Sequence, residues 1–269
     1  MDTALKNSQP HQKSGTLQRK KIASFFVSVY DVYKFIAGFF KEVFTGPYEF
    51  KEIVRQCYEI GCKSLAIITL TAFITGIVFT KQSRPSLSEF GATSWLPSLI
   101  AIAIVRALAP LMTALVIAGK VGSNMGAELA SMRVTEQIDA MEVSSTNPFK
   151  FLVITRVLAI TITLPVLVTY FAFLGLAGAY LNVHHNESTS FTTFMTNAFV
   201  KISFLDLFSS LFRSVVYGFT IGITGCFKGY NAKQGTVGVG RAANSAVVIS
   251  MFLIFIEEMV IVQIVNYFR

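Results

Sequence analysis

The stretch VLAITITLPVLVTYFAFLGLAGAYL, residues 157–181, runs for 25 residues without a charge. Crossing a hydrocarbon core about 30 Å thick takes about 20 apolar residues in a helix. Inside that solvent each backbone N–H and C=O must be satisfied by the segment itself, which selects the α-helix. Pro165 removes one such bond, but prolines are tolerated in spanning helices where neighbours re-satisfy the freed carbonyl. The segment predicts a membrane-spanning helix over about 151–181.

Four further spans are predicted around it. SLAIITLTAFITGIVFT covers 64–80. A second span runs over about 96–118 and holds Arg106 and Pro110. Two more, near 203–227 and 243–267, carry Asp206 and Arg213, and Glu257 and Glu258. They count as spans because apolar residues flank those charges on both sides. The predicted class is an all-α integral membrane protein with five transmembrane helices. Composition agrees: of 269 residues, 53% are apolar and 14% charged, and the mean hydropathy is +0.58. A soluble domain carries about 45–50% apolar and about 25% charged residues. A soluble enzyme, a secreted disulfide scaffold and a disordered chain are thereby excluded.

The net charge of +8 reports orientation, not nucleic acid. Lys and Arg number ten in residues 1–63, three in 119–150 and three in 228–241. The opposite loops and the C-terminus hold only Lys81, Arg84, Lys201 and Arg269. The positive-inside rule places the N-terminus in the cytoplasm and the C-terminus outside. Residues 1–21, with Lys13, Arg19, Lys20 and Lys21, are expected to be a flexible basic cytoplasmic tail without a cleavable signal. Over 22–45, apolar residues from Phe25 to Phe44 recur at helical spacing, interrupted by Asp31, Lys34, Lys41 and Glu42. That pattern suits an amphipathic helix at the membrane interface. Gly46-Pro47 ends it, leaving 46–269 as the spanning domain. Cys57, Cys62 and Cys226 and the three histidines have neither disulfide nor metal spacing, so no metal site is expected.

The loop between the second and third spans is patterned like a helix. Asn124 is a candidate cap for a helix over 124–142, with Leu129, Met132, Ile138 and Met141 on one face. Glu128, Arg133, Glu136 and Asp139 supply its polar positions. By spacing alone these form a solvated face, with Arg133, Glu136 and Asp139 three residues apart. The strings AELASMRVTEQIDAMEV (127–143) and NPFKFLVITRVLA (147–159) resemble the MlaE/YrbE-type permeases of bacterial ABC lipid transporters, which work with MCE proteins. FRSVVYGFTIGITGCFKGYNAKQGTVGVGRAANSAVVIS (212–250) is similar to the same family. The likeness runs from about residue 46 to 262.

That resemblance implies a homodimeric, multi-pass permease in the bacterial inner membrane. It implies a cytoplasmic ABC ATPase dimer that binds the ATP, so that this chain carries no cofactor. It implies phospholipid or a related amphiphile as cargo, exchanged with a periplasmic MCE lipid-binding protein. It makes 124–142 a coupling helix, with Glu128, Arg133, Glu136 and Asp139 docking into the ATPase.

The intramembrane charges form a second candidate site. A charge within hydrocarbon costs about 2.5–3.5 kcal/mol on insertion scales, so Arg106, Arg213, Glu257 and Glu258 should face protein or water. At 1.5 Å per residue all four lie roughly 14–15 Å from the outer ends of their spans. They are expected to meet as two cations opposite two carboxylates, either as the polar lining of a lipid cavity or as an ion-pair cluster. Gly218, Gly222, Gly225 and Gly229 point to close helix packing within a subunit. The glycine-rich 235–240 lacks a preceding strand and the GK[ST] of a phosphate loop, and is expected to be a flexible turn. An integral membrane enzyme or a passive scaffold is the alternative function. No predicted span contains His, which leaves an intramembrane Ser–His protease without its base.

Overall fold

A computed structural model describes residues 11–46 and 49–267, with side chains from Phe26 onward. The chain divides into two units, Met1–Pro47 and Tyr48–Arg269. The first unit holds α1 (His11–Val43). Its helix starts at His11, eleven residues before the expected 22, and so takes in residues 11–21 of the expected tail. The rest of that expected tail, 1–10, lies outside the described residues. In α1, Phe26, Val29, Tyr30, Tyr33 and Phe40 are exposed apolar side chains.

The second unit contains α2 (Phe50–Glu89), α3 (Thr93–Val134), α4 (Gln137–Val143), α5 (Phe149–Glu187), α6 (Phe191–Phe199), α7 (Phe204–Tyr230) and α8 (Thr236–Tyr267). Helices α2, α3, α5, α7 and α8 are each long and apolar enough to cross a membrane. No strand forms among the described residues. The helices outrun the apolar windows that announced them. Hydropathy marks only the part suited to hydrocarbon, whereas backbone bonding continues into the interface. The end bearing the residue 119–150 and 228–241 segments is called the basic end here, and the other the low-charge end.

Packing sets the order of the layers. The apolar window of α5 is 67% buried, against 22% in α2 and 22% in α8. Helix α5 packs between α2 and α7, and α7 in turn packs against α3 and α8. Missing side chains permit the close approaches. A Cβ on Gly76 of α2 would lie 2.0 Å from the carbonyl oxygen of Gly175 on α5. On α7, Gly218 and Gly222 face the backbone of Thr161 and Val157 of α5, while Gly229 faces Gly126 and Leu129 of α3. The α7 glycine row therefore seats two different neighbours within one subunit.

Helix α3 is one continuous rod with two π-turns, Ile104–Leu108 and Ala118–Gly122. Helix α6 was not expected. It is short and rich in Thr, which hides its pattern, and Ser98 ties α3 to it by donating to the Asn197 carbonyl at 2.6 Å.

Candidate functional site

The charged side chains of α3, α7 and α8 meet near the low-charge half of the bundle. Their placement begins with the start of α7. Ser203 and Asp206 form a capping box there: the Ser203 amide donates to Asp206 Oδ2 at 3.1 Å. This pins the carboxylate in the first turn. Its other oxygen, Oδ1, lies 2.9 Å from Arg106 Nη2 of α3.

Two turns deeper on α7, Arg213 is 2% exposed and pairs with Glu258 of α8 at 2.8 Å. Its Nη1 also donates to the main-chain carbonyl of Arg106 at 2.9 Å. That carbonyl would ordinarily accept the amide four residues on. Residue 110 is proline and has no amide hydrogen, so the guanidinium supplies the donor across the two helices. Tyr217, one turn below Arg213, donates its hydroxyl to Glu258 Oε2. Thr220 donates to Glu257 Oε1 at 2.5 Å, while Glu257 Oε2 is buried without a hydrogen-bond partner among the described residues. Below these, Thr224 and Ser250 share a hydroxyl contact between α7 and α8.

The arrangement corrects the expected two-against-two cluster. Arg106 pairs with Asp206, and Glu257 takes a hydroxyl instead of a cation. The network thus holds three carboxylates and two guanidiniums, and it fastens three helices. Sequence reasoning left out Asp206 and Tyr217. Ser203-Phe-Leu-Asp206 is itself a capping-box signal. Tyr217 sits four residues after Arg213, hence on the same helix face.

Two apolar cavities open toward the low-charge end, the first of them beside this network. One of about 350 Å³ lies between α7 and α8, walled by Leu205, Phe208, Phe212 and Ile261, with Asp206 and Ser209 at its polar edge. Another, of about 590 Å³, is walled by Phe79, Leu87, Trp95 and Leu99, with Lys201 as the one charged lining residue among those described. The Lys201 ammonium stands 5.7 Å from the centre of the Trp95 ring.

At the basic end the expected single helix over 124–142 is two helices. Asn124 is no cap, because α3 passes through it without a break to Val134. Thr135 turns its hydroxyl back onto the Ser131 carbonyl at 2.9 Å, and Glu136 adopts a left-handed conformation at φ 58°. Helix α4 then starts afresh at Gln137. Across the break Arg133 pairs with Asp139, replacing the expected spacing-by-three pairs, and Glu136 is exposed. Glu128 pairs at 2.7 Å with the buried Arg156 of α5, which also donates to the Leu152 carbonyl. Of the four candidate docking residues, only Glu136 makes no side-chain hydrogen bond or ion pair among the described residues, while its main chain bonds Arg133 and Ala140.

Among the described residues no three His, Cys, Asp or Glu side chains come together as metal ligands. The family model for Permease MlaE matches residues 53–264, most of the chain and all five spanning helices. The chain belongs to the MlaE permease family. This MlaE-family permease is 37% identical over 238 residues to a probable ABC transporter permease protein of Rickettsia prowazekii, covering 88% of this chain and 91% of that one. It is 36% identical over 219 residues to a probable ABC transporter permease protein of Synechocystis, covering 81% and 83%. With one from Porphyra purpurea it shares 37% identity over 196 residues, covering 73% and 74%.

Proposed function

We propose that this permease subunit works as a homodimer that moves phospholipid or a related amphiphile between the bacterial inner membrane and a periplasmic MCE protein. A separate cytoplasmic ATPase dimer drives it. The N-terminus lies in the cytoplasm, the C-terminus in the periplasm, and α1 rests in the interface.

The observation that carries this reading is the continuity of α3. One helix bears Arg106 of the intramembrane network and Glu128 and Arg133 at the basic end. Arg106 and Arg133 are 27 residues apart, about 40 Å along the axis. An ATPase that moves the α3–α4 elbow therefore moves the anchor of the network, and with it α7 and α8. The coupling element is the end of α3 with the short α4, not an isolated rod. Each guanidinium of the network is already matched by a carboxylate, which favours a clamp between spans over a headgroup socket. The amphiphile's apolar part then occupies these two cavities, each of which has apolar walls and a charged edge.

Purification of the intact complex, with mass spectrometry of subunits and bound lipids, tests the reading. The expected result is two copies of this chain with an ATPase, an MCE protein and phospholipid. Co-purification with neither an ATPase nor an MCE protein overturns it.

A further inference from the structure

We propose that the turn from α7 to α8 at the basic end holds the phosphate of an anionic membrane lipid, at a site separate from any cargo path. A pocket of about 460 Å³ opens there. Among the described residues Lys228, Lys233 and Arg241 line it, and no carboxylate does. Four other cations at this end are ion-paired, Arg55 with Glu52, Lys63 with Glu59, Arg133 with Asp139 and Arg156 with Glu128, and Lys120 donates to the Lys63 carbonyl. Among the described residues no such ion pair forms at the three cations of the pocket. Three like charges around one concavity repel, and an anion between them removes that cost.

Of the expected turn over 235–240, all but Gly235 belongs to α8. Gly235 sits at φ +92°, and a Cβ on Gly238 would fall 1.9 Å from the Lys233 carbonyl oxygen. The main chain of Lys233 is thereby pressed against the first turn of α8. The first helical amides to find an acceptor are those of Gly238 and Val239, both on the Gly235 carbonyl. The positive end of a 32-residue helix adds to the three side-chain charges.

A phosphate is the anion this set suits. Arg241 can fork onto two oxygens and the lysines act as point charges. Position selects a lipid as the carrier. The pocket begins at the last turn of α7, a helix long and apolar enough to cross a membrane, and the apolar Val237 on its wall is 66% exposed. Cations at the cytoplasmic ends of spans face anionic lipid. Lys228 follows Arg213 by 15 residues, so this site and the charge network are about 22 Å apart along α7. The proposal is independent of which substrate the permease moves.

The test is native mass spectrometry of the full complex in nanodiscs of phosphatidylcholine with or without phosphatidylglycerol. Wild type is compared with a Lys233→Gln/Arg241→Gln double variant and with a control, Lys81→Gln/Arg84→Gln, that removes the same charge at the low-charge end. Retained phosphatidylglycerol is expected to fall roughly 10- to 30-fold in the first variant and to stay unchanged in the control. Inorganic phosphate at tens of millimolar should not displace the lipid. Equal retention in all three proteins overturns the proposal. Displacement by inorganic phosphate overturns the lipid as carrier. Unchanged lipid with loss of the co-purifying ATPase reassigns the pocket to a protein partner and overturns it as well.

Discussion

Arg213 donates a hydrogen bond to the main-chain carbonyl of Arg106, a carbonyl left without its helical partner by Pro110. A proline in one span is thus answered by an arginine in another. The same guanidinium neutralises Glu258 of a third. One side chain therefore satisfies a backbone defect and a buried charge together, and ties α3, α7 and α8.

Pro110→Ala should loosen that dependence. It returns an amide to the Arg106 carbonyl, so the Arg213 bond becomes partly redundant. A thermal-unfolding double-mutant cycle of Pro110→Ala with Arg213→Met should give a coupling of about 1 kcal/mol. Strict additivity would mean that the carbonyl finds another donor.

Breaking the Arg213–Glu258 pair from one side should cost more than removing both partners. Either single change to Met strands a buried charge, with a cost of about 3–5 kcal/mol. The double change to Met should recover at least half of that. Equal destabilisation of single and double variants would show that the pair is not the unit of the clamp.

The glycine seams separate two kinds of position. Gly76→Ala drives a methyl into the Gly175 carbonyl, where backbone meets backbone, and should cost about 1–3 kcal/mol. Gly240 lies within α8 with nothing within 4 Å of a new Cβ. Gly240→Ala should stabilise by about 0.5–1 kcal/mol. Detergent-resistance midpoints of the two variants should move in opposite directions.

Glu136 holds a left-handed conformation that costs a side-chain-bearing residue about 1–2 kcal/mol. Glu136→Gly should keep the elbow between α3 and α4 and raise stability by about 0.5–1 kcal/mol. A fall in stability would mean that the Glu136 side chain contributes more than its backbone strain costs.

The spans were legible because hydrocarbon imposes a long uncharged run, as at 157–181, and the helix must satisfy itself. Partners were less legible. Arg106 and Glu257 lie at matching depths by count, yet depth does not fix azimuth, and Arg106 turned to Asp206. The α3–α4 elbow was hidden because apolar positions keep helical spacing through Ile138 and Met141, and only the Glu136 backbone departs. Arg156 stood at the edge of an uncharged run and gave no sign of burial; its partner Glu128 lies 28 residues away.

The central claim is that ATP-driven motion passes through α3 to move an amphiphile. The direct measurement is ATP-dependent transfer of fluorescent phospholipid by the full complex in proteoliposomes, comparing wild type with Glu128→Gln, which cuts the tie between α3 and Arg156. The account predicts lipid transfer in the wild type, and in the variant an intact complex that hydrolyses ATP but transfers lipid several-fold more slowly. A fully assembled wild-type complex that hydrolyses ATP and moves no phospholipid in either direction would contradict it.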